Sequence, residues 1–177
     1  LQEQPKSGVN VRPIGEQISE GDLALEKGTL LNAAAIGFLA GLGFTSVMVY
    51  KKPTIGIVIT GNELVKPGST LKYGKVYESN AIMLRSALND AYFDAITLYE
   101  VNDDFENTKN KLHDALSAND VVLVSGGISV GDYDFVARAL KELEVETLFY
   151  KVNQKPGKPL FTGKLQDKII FALPGNP

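Results

Sequence analysis

Residues 121–135 constrain the fold most, because the chain changes character twice within this short stretch. Residues 121–124 form an uninterrupted apolar run, which is typical of a strand buried on both faces. The run ends in Ser125, Gly126 and Gly127. Beyond Asp134, apolar residues recur at helical spacing, at Val136, Ala139, Leu140 and Leu143. The stretch therefore predicts a strand, a glycine loop and a helix, in that order.

The glycine loop has two interpretations. Its backbone N–H groups, together with the start of the next helix, can hold an anion. A tight turn can also require positive φ with no ligand present. The spacing matches neither the Gly-x-x-x-x-Gly-Lys-Ser/Thr phosphate loop nor the Gly-x-Gly-x-x-Gly dinucleotide motif. Because Asp132 and Asp134 would repel a bare phosphate, we expect a Mg²⁺-bridged phosphate or a heterocycle as the ligand.

Strand and helix patterns alternate from Thr54 onward. This alternation predicts an α/β fold with a doubly wound, mostly parallel three-layer sheet. Helices are predicted after Ser79 or Asn80, over residues 105–116, and after Asp134. The strand patterns cover residues 55–60, 94–100, 121–124, 146–151, 160–163 and 168–173.

The N-terminal part is predicted to be a smaller, mainly β segment. Asn32 is expected to cap a helix, and residues 47–50 are expected to form a short strand. Residues 51–53 have the composition of a boundary, which divides the chain into residues 1–52 and residues 53–177. The last strand runs into a Pro-Gly-Asn-Pro ending without a covering helix, so we expect a piece of a longer protein.

Composition excludes several function classes. A net charge of −3 gives no reason to expect a nucleic-acid partner. The absence of cysteine rules out disulfides and thiolate metal sites, and a single histidine, His113, argues against a histidine-based one. No stretch reaches the length of a membrane span and no signal peptide is visible, so we expect a cytoplasmic protein without membrane contact.

Polar loops follow most of the predicted strands, and in a doubly wound sheet they would meet at one edge. The acids in these loops can hold Mg²⁺ or meet ring nitrogens, and the lysines can neutralise an oxyanion. A phosphorylated heterocycle together with an oxyanion would use all of these groups. The loops are Gly61-Asn62-Glu63, Asn102-Asp103, Ser125-Gly126-Gly127, Asp134, Lys155-Pro156-Gly157-Lys158 and Pro174-Gly175-Asn176.

Each loop taken singly also has a structural interpretation. Asn62 and Glu63 suit an Asx turn followed by a solvated carboxylate. Asp103 suits the N-cap of the following helix. Lys155 and Lys158 could simply keep a proline-rich loop soluble. It is the placement of all the loops at one predicted edge that favours a binding site.

The sequence resembles the molybdopterin molybdenumtransferases, the MoeA type that also includes the E domain of gephyrin. The resemblance covers nearly the whole chain, and the motifs occur in the family's order. They are Arg12-Pro13-Ile14-Gly15-Glu16-Gln17-Ile18, Gly28-Thr29, Thr60-Gly61-Asn62-Glu63-Leu64, Tyr77-Glu78-Ser79-Asn80, Ser125-Gly126-Gly127-Ile128-Ser129-Val130-Gly131 with Asp134, Lys155-Pro156-Gly157-Lys158-Pro159 and Pro174-Gly175-Asn176-Pro177.

The resemblance implies a reaction in which adenylylated molybdopterin loses AMP and molybdate is inserted into the dithiolene. It implies catalytic roles for Glu63, Asp103 and Asp134, which would also hold Mg²⁺. Substrate binding would fall to residues in the matching motifs and to one further lysine. These are Gly61, Asn62, Asn80, Ser125, Gly126, Gly127, Ser129, Gly131, Lys151, Lys155, Pro156, Gly157, Lys158, Pro174, Gly175 and Asn176.

The same resemblance implies a homodimer that receives its pterin from upstream molybdopterin-handling proteins. Residues 1–52 would belong to the family's elongated second domain, with the N-terminal cap and the C-terminal β domain outside this chain. The chain would then be a central piece of the family's architecture.

The sequence departs from the family pattern at several positions. Asn62 and Glu78 stand where many members have Asp, Gln17 where some have Asp, and Asn102 where some have Arg. Ala81 stands where an Arg is common, and we expect Arg85, one helical turn on, to compensate. An unchanged molybdate affinity in Arg85→Ala would contradict that hypothesis.

Three other functions remain open from the sequence. A relative with the same doubly wound domain adenylylates molybdopterin, although stand-alone adenylyltransferases lack the segment of residues 12–50. A gephyrin-like non-catalytic scaffold is the second possibility, and a competence-protein-like nucleotide hydrolase is the third. Intact Glu63, Asp103 and Asp134 favour catalysis over a scaffold role.

Overall fold

The computed structural model describes residues 6–102, 104–128, 135–155 and 157–176. The chain divides into two compact units, Leu1–Tyr50 and Lys51–Pro177. The division falls two residues before the boundary between residues 52 and 53 that the sequence predicts.

Between residues 6 and 50 the first unit contains one helix, α1 (Ala33–Gly41). Asn32 caps it as predicted, because its side-chain oxygen accepts the backbone N–H of Ala35 at 2.9 Å. The helix ends where Gly43 takes a φ of +88° and donates its N–H to the carbonyl of Ala40.

The expectation of a mainly β first unit is wrong for residues 6–50, which contain no strand. Residues 47–50 were predicted to form one, but they have no ladder partner there. An apolar run becomes a strand only when a neighbour takes up its N–H and C=O groups. Without that neighbour Met48 and Val49 are exposed.

The second unit is built on a six-stranded sheet in the order β4-β1-β5-β8-β7-β6. Strands β4, β1, β5 and β8 are parallel, and β7 is antiparallel to both of its neighbours. This confirms the predicted mostly parallel α/β sheet. Its strands are β1 (Ile55–Thr60), β4 (Ile96–Val101), β5 (Val121–Ser125), β6 (Glu146–Tyr150), β7 (Phe161–Leu165) and β8 (Lys168–Leu173).

Three helices and a small parallel pair complete the unit. The pair consists of β2 (Leu64–Val65) and β3 (Val76–Tyr77), with Leu64 opposite Val76. The helices are α2 (Asn80–Asp90), α3 (Phe105–Ala118) and α4 (Phe135–Glu142).

Helices cover both faces of the sheet, so the unit has three layers. Every residue of β1 is buried, as its unbroken apolar pattern predicts. Val58 packs in the cluster that includes Leu112 of α3 and Leu140 of α4. Its neighbours Ile57 and Ile59 point the opposite way and pack with Ala81 of α2.

The caps of α2 and α3 differ from those predicted. Asp104, not Asp103, caps α3 and accepts the N–H of Glu106 at 3.2 Å. Ser79 precedes α2 without a side-chain capping bond. Instead, the Glu78 carboxylate accepts the N–H of Ala81 at 2.7 Å.

One edge of the sheet collects the ends of five strands. The parallel strands β4, β1, β5 and β8 all end there. Strand β6 ends there too, because two antiparallel steps through β7 restore its direction. This carboxyl edge is where the sequence places its candidate loops.

Candidate functional site

The loop after β1 is shaped by Gly61. Its φ of +147° is a conformation that side-chain-bearing residues rarely adopt. A Cβ built on Gly61 would lie 3.0 Å from each carboxylate oxygen of Glu63. The glycine therefore lets the Glu63 carboxylate fold back over the backbone at the end of the strand.

The loop after β5 requires glycine at two successive positions. Gly126 and Gly127 have φ values of +91° and +64°. A Cβ on Gly126 would lie 2.6 Å from the Thr60 carbonyl oxygen, and one on Gly127 would lie 2.6 Å from a methyl group of Val136. The two glycines thus allow the ends of β1 and β5 and the start of α4 to approach closely.

Asn80 ties three elements together at this edge. Its side-chain amide donates to the Ser125 hydroxyl at 2.7 Å and to the Gly175 carbonyl at 2.9 Å. These bonds join the first residue of α2 to the end of β5 and to the loop after β8. The Gly126 N–H adds a link to the Leu173 carbonyl at 3.3 Å.

The joined loops enclose a cavity of about 490 Å³. Apolar residues Leu64, Ile128 and Phe135 form part of its wall, and the remaining wall is polar. Such a mixture suits a flat, polar-edged ligand of small-molecule size. Eight predicted site residues line the cavity: Gly61, Asn62, Glu63, Asn80, Ser125, Gly126, Gly127 and Gly175.

Comparison with known proteins identifies the domain that carries this cavity. The family model described as a probable molybdopterin binding domain matches residues 56–177. The chain belongs to this family. We name the cavity of about 490 Å³ the pterin cavity after the ligand in the family's description. A second model, the MoeA N-terminal region (domain I and II), matches residues 1–43.

Comparison with individual proteins supports the same family assignment. A molybdopterin molybdenumtransferase from Haemophilus influenzae is 36% identical over 99% of this chain and 43% of its own length. The molybdenum cofactor synthesis protein cinnamon of Drosophila melanogaster is 36% identical over 98% of this chain and 29% of its own. The crystal structure of a molybdopterin biosynthesis MoeA protein from Pyrococcus horikoshii superposes with a TM-score of 0.73 at 34% identity, over 92% of this chain and 40% of that one. The chain thus spans about two fifths or less of the length of these relatives.

A second cavity of about 440 Å³ lies beside the pterin cavity, and Gly61 and Leu64 line both. It reaches the end of β4, where predicted residue Asn102 is one of its lining residues. An ion pair between Lys66 and Glu100, 3.2 Å long, lies in its wall.

The predicted basic residues lie at the same edge but do not line either cavity. Lys151 directly follows β6, and Lys155 and Lys158 are exposed in the loop that leads to β7. Because β8 and β7 separate β5 from β6, this loop begins about 14 Å from the end of β5. Lys151 has a φ of +66°, and its ammonium lies 4.9 Å from the ring centre of Tyr150. Gly157 belongs to the same loop, with a φ of +94°.

Two residues of the loop after β8 lie beside the cavity without lining it. Pro174 directly follows the strand, and Asn176 is exposed one residue beyond Gly175. Their predicted binding roles therefore remain predictions.

Five predicted site residues lie outside the described part of the chain: Asp103, Ser129, Gly131, Asp134 and Pro156. Of the three expected magnesium ligands, only Glu63 is described, and its carboxylate is a suitable donor for Mg²⁺. Across the described ranges, no three His, Cys, Asp or Glu side chains form a metal-binding group. The magnesium site therefore remains a prediction.

The family departures at Glu78 and Ala81 have a local explanation. Ala81 is 6% exposed and packs against β1, while Glu78 caps its backbone N–H. A long basic side chain at position 81 would have to leave this core. Arg85 is exposed and does not line the pterin cavity, so its proposed compensating role remains a prediction.

Sequence reasoning missed Thr60 and Lys75. Thr60 is 5% exposed, lines the pterin cavity, and has a buried hydroxyl with no hydrogen-bond partner in the described structure. Its position at the end of a buried strand, directly before a predicted site loop, could have indicated that Thr60 belongs to the site. Lys75 donates from Nζ to the Asn62 carbonyl at 2.6 Å.

No helix within the described ranges is long and apolar enough to cross a membrane.

Proposed function

We propose that this chain carries the pterin-binding part of a molybdopterin molybdenumtransferase. The reaction is insertion of molybdate into adenylylated molybdopterin with release of AMP. The observation that supports this most is the pterin cavity, where Asn80 joins the loops after β5 and β8 beside the loop after β1. It lies in a domain whose family model is a molybdopterin-binding one.

In this proposal different residues of the cavity wall contact different parts of the substrate. Leu64, Ile128 and Phe135 offer apolar contact to the faces of the pterin. The Glu63 carboxylate and the Asn62 amide meet its polar edge. The backbone of the Gly126-Gly127 loop borders the side of the cavity where we place the phosphate.

The chemical step breaks the phosphoanhydride that joins AMP to the pterin phosphate, where water adds its oxygen and AMP leaves. The two dithiolene thiols replace two oxygens of molybdate, which leave as water, so no oxidant or reductant is needed. The family resemblance assigns Glu63, Asp103 and Asp134 to this step. These carboxylates would also hold Mg²⁺, which when bound supplies positive charge for the phosphate oxygens. Lys151, Lys155 and Lys158 supply cationic groups for molybdate further along the same edge.

The proposal includes two further features that the resemblance implies, which are a homodimer and transfer of pterin from upstream molybdopterin-handling proteins. It also includes the cytoplasmic location that the sequence predicts. The match of residues 1–43 to the MoeA N-terminal region argues against a stand-alone adenylyltransferase. A scaffold role is an outcome of the test below.

The test is AMP release from adenylylated molybdopterin with and without molybdate. We expect molybdate to stimulate release by the wild-type chain, and Asp134→Asn to abolish that stimulation. Asp114→Asn is the matched control, because Asp114 is an exposed carboxylate on α3 whose closest cation is Lys111 at 3.7 Å. Substrate binding without molybdate-stimulated release would refute the proposed reaction and favour the scaffold or adenylyltransferase.

A further inference from the structure

The wall of the pterin cavity that follows β1 is a short loop, residues 61–64. Gly61, Asn62, Glu63 and Leu64 all line the cavity. Within this loop, the Leu64 N–H donates to the Gly61 carbonyl at 3.3 Å, which is a long bond. Gly61 itself is conformationally permissive. The shape of this wall therefore depends on contacts from outside the loop.

The β2–β3 pair supplies that outside contact. Val76 donates its N–H to the Glu63 carbonyl at 3.0 Å, and Glu78 donates to Val65 at 2.9 Å. This register places Lys75 opposite Glu63, at the point where β3 begins. A lysine at this position can reach the loop without a change of backbone path.

Lys75 forms a hydrogen bond with the loop from this position. Its ammonium donates to the Asn62 carbonyl at 2.6 Å, a short charge-assisted bond. Lys75 is half-buried, whereas Lys72, in the same connection, is exposed. None of the ion pairs found among the described residues includes Lys75. The hydrogen bond to the loop is thus the polar contact that defines the position of this side chain.

We propose that Lys75 is a positioning residue for the pterin cavity: its ammonium holds the Asn62 carbonyl and so fixes the loop 61–64 in the conformation that binds substrate. The effect of Lys75 on substrate binding rests on the proposed function. Its effect on the conformation of the loop does not. Lys75 itself does not line the cavity, so it acts through the loop and not by touching the ligand.

The structural part is tested by amide hydrogen exchange in the unliganded chain. Lys75→Met removes the bond, and we expect faster exchange at the Leu64 amide with little change in the β5 amides. Lys72→Met removes the same charge from the same connection and should leave the Leu64 amide unchanged. Equal exchange in wild type and Lys75→Met would overturn the proposal, whether or not the chain binds a pterin.

The functional part is tested by affinity for molybdopterin. Lys75→Met should raise Kd about tenfold, which corresponds to loss of one good hydrogen bond at the site. Lys75→Gln keeps an N–H donor without the charge, and we expect it to recover part of the affinity. Lys72→Met should bind like wild type. If Lys75→Met loosens the loop and binds pterin as well as wild type, the positioning role is refuted while the proposed function stands.

Discussion

The tight contact between the ends of β1 and β5 makes a quantitative prediction for Gly126→Ala. Gly126 has a φ of +91°, and an added Cβ would lie 2.6 Å from the Thr60 carbonyl oxygen. Gly68 provides a control in the same unit, because its φ of +85° is nearly the same but nothing lies within 4 Å of the added Cβ. The two substitutions share the backbone penalty and differ only in their surroundings.

The expected costs follow from these surroundings. An alanine held at positive φ costs about 1 kcal/mol, which is the whole effect expected for Gly68→Ala. Gly126→Ala adds a clash with a backbone oxygen that cannot rotate away, for which overpacking costs about 2 kcal/mol more. The free energy of unfolding should therefore fall by about 3 kcal/mol in Gly126→Ala.

Urea unfolding followed by far-UV circular dichroism measures this difference. With a denaturant slope of about 2 kcal/mol per molar, the additional 2 kcal/mol lowers the midpoint of Gly126→Ala by about 1 M relative to Gly68→Ala. Equal midpoints for the two variants would show that the β1–β5 contact is not as close as described here.

Three further predictions concern the second unit. Leu112→Ala should lower the free energy of unfolding by about 3 kcal/mol, since Leu112 is fully buried, and urea unfolding will show it. The Thr54 backbone N–H and hydroxyl, at 2.7 Å and 2.8 Å, lower the pKa of Asp120, so its stabilising effect is complete above about pH 4 and lost as the pH falls through the lowered pKa. Urea midpoints at acidic pH should therefore drop less steeply in Asp120→Asn, and identical slopes would contradict this. The Glu142 side chain raises the pKa of Lys109 through a 2.8 Å bond between α3 and α4, so Lys109→Met should lower the unfolding midpoint more at low salt than at high salt.

The strands could be predicted from the sequence because burial on both faces produces a recognisable pattern. Residues 55–59 and 121–124 carry no polar side chain, and both stretches lie in interior strands of the sheet. The glycine loop after residue 124 was predicted from Gly126 and Gly127 themselves, and both have positive φ.

Strand order was the information that the sequence lacked. Lys155 and Lys158 were predicted at the same edge as Gly126, and the edge is correct. The hairpin of β7 and β8 places two strands between β5 and β6, so the lysines lie outside the cavity. Alternating patterns do not reveal which strands become neighbours, because pairing depends on the whole sheet.

Local contacts at the helix starts also could not be predicted from the sequence. Asp103 and Asp104 have the same capping chemistry, and only the backbone path selects Asp104. The Lys75 contact with Asn62 likewise depends on the parallel β2–β3 register. Strands of two residues are too short for their register to be predicted from composition.

The most direct test of the account is binding of molybdopterin to the wild-type chain and to two matched asparagine variants. Asn80→Ala removes the bonds that join α2 to Ser125 and Gly175 at the pterin cavity. Asn107→Ala removes a comparable bond, 2.6 Å long, to Asp104 beside the second cavity. The account predicts affinity about tenfold weaker for Asn80→Ala and unchanged for Asn107→Ala. Unchanged binding by Asn80→Ala, or a loss confined to Asn107→Ala, would contradict the assignment of the pterin to this cavity.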